Sequence, residues 1–208
     1  MPDTSTLTAY LIVILGLAVT PGPNMIYLIS RSIAQGRTAG IVSLGGSALG
    51  FIVYMGCAAF GITALLTAVP MAYEALRIAG AAYLMFLAFQ AVRPGGRSPF
   101  QINALPSSRH GKVLAMGFLT TILNPKAALI YLALLPQFVV PGHGSILSQT
   151  LVLGSMHIAL NLALGIVIAS TAGTMATGLA KRPSWLLLQR WLMGGLLTAF
   201  SVKMLSEA

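Results

Sequence analysis

From Val113 to Ala180 the chain carries a single Lys, Arg, Asp or Glu: Lys126. The stretch from Ala127 to Ala180 would reach about 80 Å as one helix at 1.5 Å per residue, so it has to turn back on itself. Pro141-Gly142-His143-Gly144 is the breaker cluster where that turn is expected. Lys126 follows Asn124-Pro125, which places a charge and a helix breaker together near the middle of an expected span. An ammonium at that depth costs about 2.5–3.5 kcal/mol on insertion scales, which points to a specific task.

Composition agrees with a membrane setting. Hydrophobic residues make up 57% of the chain and charged residues 7%, and the mean hydropathy is +0.88. The long polar stretch is confined to Arg93–Lys112, too short for a soluble domain. The net charge of +9 is spread over short loops without interleaved aromatics, which argues for loop charge and against nucleic acid. Cys57 is the only cysteine, so no internal disulfide can form. The N-terminus has Asp3 and no basic residue before the first apolar run, so that run is expected to be a retained span.

A span needs about 20 apolar residues. On that basis we expect an all-α integral membrane protein with six transmembrane helices, at Leu7–Ser30, Gly40–Ala68, Met71–Val92, Val113–Pro136, Ser148–Gly178 and Trp185–Leu205. Gly36, Pro70, Pro94-Gly95-Gly96 and Pro183 mark the other ends. Re-entrance of the second or fifth segment would reduce the count to five. Basic residues alternate along the connections. Arg31 and Arg37, then Arg93, Arg97, Arg109 and Lys112, then Lys181 and Arg182 follow the odd-numbered helices, while the loops near Val69-Pro70 and Gln137–Leu147 have none. The positive-inside rule then puts both termini outside.

An internal echo divides the chain. Pro21–Leu28 reads PGPNMIYL and Pro125–Leu132 reads PKAALIYL, offset by 104 residues, half of the 208-residue length. A weaker echo pairs Arg77 with Arg190. Both copies of the main motif interrupt the first helix of a three-helix half, and an odd helix number inverts one half against the other. The expectation is one transporter domain over 1–208, built as two inverted three-helix repeats of about 1–96 and 110–208 joined by a cytoplasmic linker.

Proline lacks an N–H, so Pro21, Pro23 and Pro125 should free the carbonyls of Leu17, Val19 and Thr121, with Gly22 adding backbone freedom. Such groups survive at membrane depth when protein, water or ligand satisfies them. Freed carbonyls suit an ammonium, while Lys126 and half-helix N–H groups suit a carboxylate; a zwitterion fits both. The same prolines also serve as packing features, and Lys126 can equally snorkel or cap freed carbonyls. The acids of the chain are Asp3, Glu74 and Glu207, none expected near mid-membrane, and Glu74 is three residues from Arg77, a local pair. Asn24 and Asn124 stand beside the breaks as substrate contacts or as backbone caps. Tyr27 and Tyr131 are paired by the repeat and join the candidate path. His157 and Asn161 share a helix face, suited to interhelical hydrogen bonding or, for His157, proton carriage. Gly46 and Gly50 form a small-xxx-small pair for helix packing. No cluster has metal-ligand spacing and no nucleophile–base set converges, so no cofactor, no metal and no enzymatic activity are expected.

These segments resemble the lysine exporter (LysE/RhtB) family of bacterial amino acid efflux proteins. TPGPNMIYLISRSIAQGRTAG (Thr20–Gly40) is similar to that family's first-helix signature, LNPKAALIYLALLPQF (Leu123–Phe138) to its fourth, and LRIAGAAYLMFLAF (Leu76–Phe89) to its third. The resemblance implies a small inner-membrane exporter of amino acids or derivatives, with Pro21, Gly22, Pro23, Asn124, Pro125 and Lys126 shaping the path. Where some members carry an acid after the PGP motif or in the second helix, this chain has Asn24 and Phe51. A carboxylate proton relay and a cationic substrate are therefore disfavoured, and neutral or small polar amino acids fit better. A proton is a candidate coupling ion; oligomeric state is not readable, a homodimer being one option. Competing readings are an ion transporter or channel of related architecture, for which the deep oxygen ligands are missing, and a non-transporting membrane scaffold using Arg93–Lys112.

Overall fold

The computed structural model describes residues 2–19, 22–68 and 107–178, with isolated positions at 78, 81, 82, 85, 86, 89, 92 and 93 and at 191, 195, 198, 199, 201 and 202. Pro21, most of the expected third and sixth helices, Glu74, Arg77, Arg190 and the linker to 106 lie outside them. No strand occurs among the described residues. The order is α1 (Thr4–Val19), α2 (Pro23–Gln35), α3 (Arg37–Ala68), α4 (His110–Ile122), α5 (Pro125–Leu129), a π turn (Ile130–Leu134), a 3₁₀ turn (Leu135–Phe138) and α6 (Ile146–Gly178).

Two helices are long and apolar enough to cross a bilayer unaided, over Arg37–Gly61 and Ile146–Ala172. Two bent pairs each have the length and composition of a further span: α1 with α2 at 53°, and α4 with the Lys126–Phe138 segment at 55°. The four correspond to the first, second, fourth and fifth expected helices, but their ends run further out. The first reaches from Thr4 to Gln35 instead of Leu7–Ser30, the second starts at Arg37, the fourth at His110 and the fifth at Ile146. Hydropathy marks the width of the hydrocarbon layer; the backbone ladder continues past it until a residue breaks it. At Gln35 that residue is Gly36, with φ of 86°. Asp3 starts α1 by accepting from the Thr6 amide at 2.7 Å. The hydrogen bonds from Thr6, then Ser5, hold the Asp3 carboxyl below its usual range.

The longer first span removes Arg31 from the connection in which the charge pattern had placed it. Arg31 is inside α2 and 1% exposed. Its guanidinium donates to Gln35 Oε1 at 3.1 Å, lies 5.4 Å from the centre of the Tyr27 ring and approaches Met116 Sδ at 3.9 Å. Gln35 in turn clasps Ser108, accepting from its amide at 3.1 Å and donating to its carbonyl. That end of α2 is therefore tied to the start of α4.

Close packing of α3 on α4 sets the frame. A Cβ on Gly46 would overlap the Leu114 carbonyl, and one on Gly117 the Ser43 carbonyl. The backbones touch where only glycine fits, which realises the small-residue packing expected for Gly46 and Gly50. Tyr10, Ile14, Leu17, Phe51, Tyr131 and Leu153 belong to one buried core across the helices. Large apolar side chains are bare on the outside, including Phe60 at 74% and Leu123 at 76% exposure. Lipid tails would cover such a surface. The turn expected at Pro141–Gly144 is present, with positive φ at Gly142 and Gly144. Buried Gln149 holds its approach by two 3.0 Å bonds to the Val140 amide and carbonyl.

Candidate functional site

The two helix breaks are built alike and face each other. Each resumes as a half-helix beginning at a proline, Pro23 or Pro125, after an extended residue, Gly22 or Asn124. Proline suits this first position because its missing N–H is unpaired there anyway. Gly22 has φ of −134°, a conformation open to any residue, so its expected backbone freedom is not what the break uses. Its missing side chain matters more: a Cβ there would lie 3.4 Å from Lys126 Cδ, so the glycine leaves the lysine a thin wall to run along.

Two of the carbonyls expected to be freed by the prolines, those of Leu17 and Thr121, find donors within the fold. Lys126 Nζ donates to the Leu17 carbonyl across the interface between the breaks. The Thr121 carbonyl accepts from the Asn124 amide at 3.1 Å. At the end of α4 the Ile122 carbonyl accepts from the Tyr54 hydroxyl at 2.6 Å. Asn124 is a backbone cap, its Oδ1 accepting from the Lys126 amide at 3.0 Å. Asn24 instead reaches across, its Nδ2 donating to Thr121 Oγ1 at 2.9 Å. Leu17 and Thr121 are separated by the same 104 residues as Pro21 and Pro125. Each break thus sends one polar side chain to the residue four positions before the other break's proline.

A cavity of about 50 Å³ lies between the breaks, lined by Gly22, Asn24, Asn124, Lys126, His157 and Asn161 among others. Six of the residues singled out from the sequence therefore meet on one wall. That volume holds a few water molecules. His157 is buried and its Nδ1 lies 3.0 Å from the Tyr131 hydroxyl. Its ring packs edge-on against Phe51 and Tyr131 at 5.0 and 5.1 Å. Asn161 Nδ2 donates to the His157 carbonyl at 2.9 Å, one helical turn away.

Tyr27 and Tyr131 do not line this cavity. Tyr27 faces the other way, its hydroxyl 3.4 Å from the Val113 carbonyl. Tyr131 is fully buried in the core, stacked on Tyr54 with ring centres 5.9 Å apart. The repeat alignment marked both as equivalent, yet one serves the end near Arg31 and the other orients His157. Pro21 lies outside the described residues, and Pro23 and Pro125 contribute as half-helix starts.

Sequence reasoning named Thr121 for its carbonyl alone and Phe51 only as a departure from the family pattern, missing the Thr121 hydroxyl and the place of Phe51 in the wall. Thr121 is buried, donates to the Gly117 carbonyl at 3.0 Å and holds Asn24. Its position four residues before Pro125 was the available signal. Phe51 forms part of the cavity wall. Among the described residues no group of His, Cys, Asp or Glu is arranged to hold a metal.

Comparison with known proteins fits this construction. Residues 15–208 match the LysE type translocator family. The homoserine/homoserine lactone efflux protein of Salmonella typhimurium is 30% identical over 172 residues, covering 83% of this chain and 81% of that protein. The protein of the same description from Salmonella typhi is 30% identical over 154 residues, 74% of each. An uncharacterised membrane protein of Pseudomonas aeruginosa is 30% identical over 138 residues, 64% of each. No solved structure matches the chain. With apolar membrane-length helices, proline-started half-helices in the first and fourth spans, and a family match over nearly its whole length, the chain is a multi-pass membrane protein of the LysE type translocator family.

Proposed function

We propose that this protein is a secondary transporter that exports small neutral or polar amino acids, or their derivatives, across the bacterial inner membrane. The observation that carries the reading is the cavity between the two helix breaks, with Lys126 on its wall. Lys126 is the cationic anchor for the substrate carboxylate. In the arrangement described, its ammonium occupies the Leu17 carbonyl; a carboxylate arriving in the cavity competes with that carbonyl for the same protons. Binding therefore loosens the tie between the breaks, which couples occupancy to their relative movement.

Relatives described as homoserine/homoserine lactone efflux proteins support export and a small polar substrate. Among the described residues no Asp or Glu lines the cavity, which supports a zwitterion over a cationic amino acid. We assign the chain to one domain of two inverted three-helix halves, with both termini outside. The matching 53° and 55° bends and the reciprocal contacts between the breaks favour that symmetry. Proton coupling is compatible with the titratable Lys126 and His157 on the wall.

The deciding experiment is export of labelled homoserine and alanine from cells and from inverted vesicles, comparing wild type with Lys126→Met. The expected outcome is export by wild type and a loss of well over tenfold in the variant, since losing a desolvated charged contact costs about 2–5 kcal/mol. Wild-type export by a well-inserted Lys126→Met protein would remove Lys126 from the site.

A further inference from the structure

A second cavity of about 50 Å³ adjoins the first, and Ala18, Asn24, Met25, Phe51 and Asn161 line both. The character of its wall is different. Beyond the shared residues it is made of Leu28, Leu44, Leu164, Gly165 and Ile168, with Ser47 as the polar group. Among the described residues no Asp, Glu, Lys, Arg or His is on it. Leu28 and Leu44 also belong to a packed apolar cluster separate from the main core.

Asn24 stands at the seam with a fixed orientation. Thr121 gives its hydroxyl proton to the Gly117 carbonyl, so Thr121 Oγ1 can only accept from Asn24. Asn24 Nδ2 fills that role, which turns Oδ1 the other way. Asn24 Oδ1 is buried and has no hydrogen-bond partner among the described residues. A buried carbonyl oxygen left so is costly unless a ligand donor meets it.

We propose that the two cavities are one divided substrate site. The amino acid head lies in the first, with its carboxylate at Lys126 and its ammonium donating to Asn24 Oδ1. Its side chain passes between Asn24 and Asn161 into the second cavity, against Leu28, Leu44, Phe51 and Ile168. This rests on the exporter reading above and adds the substrate class: an amino acid with a small uncharged side chain, matched to the apolar wall of the second cavity. A terminal hydroxyl is accommodated because Ser47 Oγ is on that wall. A cationic side chain is rejected because nothing there offsets its charge.

The fold supplies a way to resize the second cavity alone. A Cβ on Gly165 would come within 2.5 Å of Leu44 Cδ1, adding volume to that wall and forcing Leu44 to shift, whereas Leu44→Ala opens the space. The test is transport of labelled alanine, homoserine, norleucine and lysine by the purified full chain in proteoliposomes, with inserted protein quantified. Wild type should prefer homoserine over lysine by at least tenfold. Gly165→Ala should lower the homoserine-to-alanine ratio at least fivefold, and Leu44→Ala should raise the norleucine-to-alanine ratio by a similar factor. Either variant suffices if the other fails to insert. Ratios within twofold of wild type in an inserted variant overturn the side-chain cavity. Lys126→Met separates the two claims: it should depress all substrates together, and full activity in that variant overturns the head site whatever the ratios show.

Discussion

Lys126 Nζ donates to the backbone carbonyl of Leu17, the residue four positions before Pro21. A charge that looked unpartnered in the sequence is thus held by the acceptor that a proline elsewhere in the chain sets free. The pairing joins the two broken spans at their breaks, and in the function proposed above a substrate carboxylate competes for it.

That double role separates two effects of removing the charge. Lys126→Met should abolish most export and also leave the Leu17 carbonyl unsatisfied, a penalty of about 1–3 kcal/mol. A fall in detergent melting temperature of a few degrees should accompany the transport loss. Lys126→Arg should restore stability more than transport, since a planar guanidinium reaches the carbonyl but does not reproduce a compact ammonium.

Thr121→Val keeps shape and removes the acceptor of Asn24 Nδ2. With its anchor gone, Asn24 is free to rotate, and export should fall at least fivefold with a stability loss of about 1–3 kcal/mol. Thr121→Ser retains the hydroxyl and should rescue both. Equal behaviour of the Val and Ser variants would mean that the hydroxyl does not position Asn24.

Neighbouring glycines give a test of the α3–α4 contact. Gly46→Ala pushes a methyl into the Leu114 carbonyl, whereas an added Cβ on Gly45 meets no atom within 4 Å. Gly46→Ala should cost about 1–3 kcal/mol by overpacking and reduce accumulation in the membrane. Gly45→Ala should match wild type. Fluorescence-detected size exclusion of tagged variants would show the difference.

Orientation is checked by single cysteines in a Cys57→Ala background. Ser98→Cys should label from the cytoplasmic side and Ser145→Cys from outside. The reverse pattern would overturn both the assigned topology and the inverted-halves reading.

Tyr131→Phe removes the hydroxyl 3.0 Å from His157 Nδ1 while keeping the ring stacked on Tyr54. The hydroxyl also donates to the Gly154 carbonyl at 3.4 Å, so its loss should cost about 1–2 kcal/mol, with the histidine less well oriented on the cavity wall. Measured as the pH profile of export, the variant should differ from wild type in shape as well as height if His157 takes part in coupling, and in height alone if it only packs.

Much of this was legible in the residues. Charge scarcity dictated membrane burial, because ions are costly in hydrocarbon, and the prolines dictated where the first and fourth spans had to break, because they cannot donate. The lone Lys126 and the motif beside it lie where the structure has a cavity between the breaks. Helix ends were less legible: Arg31 and Arg37 read as loop charge, yet the helical ladder carries both. Hydropathy measures affinity for lipid and is silent on where a backbone stops being helical.

What only the tertiary structure decided is which group answers each exposed partner. No spacing rule links Lys126 to Leu17, or Asn24 to Thr121, because those contacts depend on two kinked spans meeting at one depth. Nor does the 104-residue echo tell Tyr27 from Tyr131; packing sends one toward Arg31 and the other to His157. The sequence determined, through the energetics of single residues in a bilayer, that there would be breaks, a buried charge and acceptors in need of donors. The fold chose the pairs, because a hydrogen bond needs its atoms within about 3 Å, and only the packed helices bring distant segments that close.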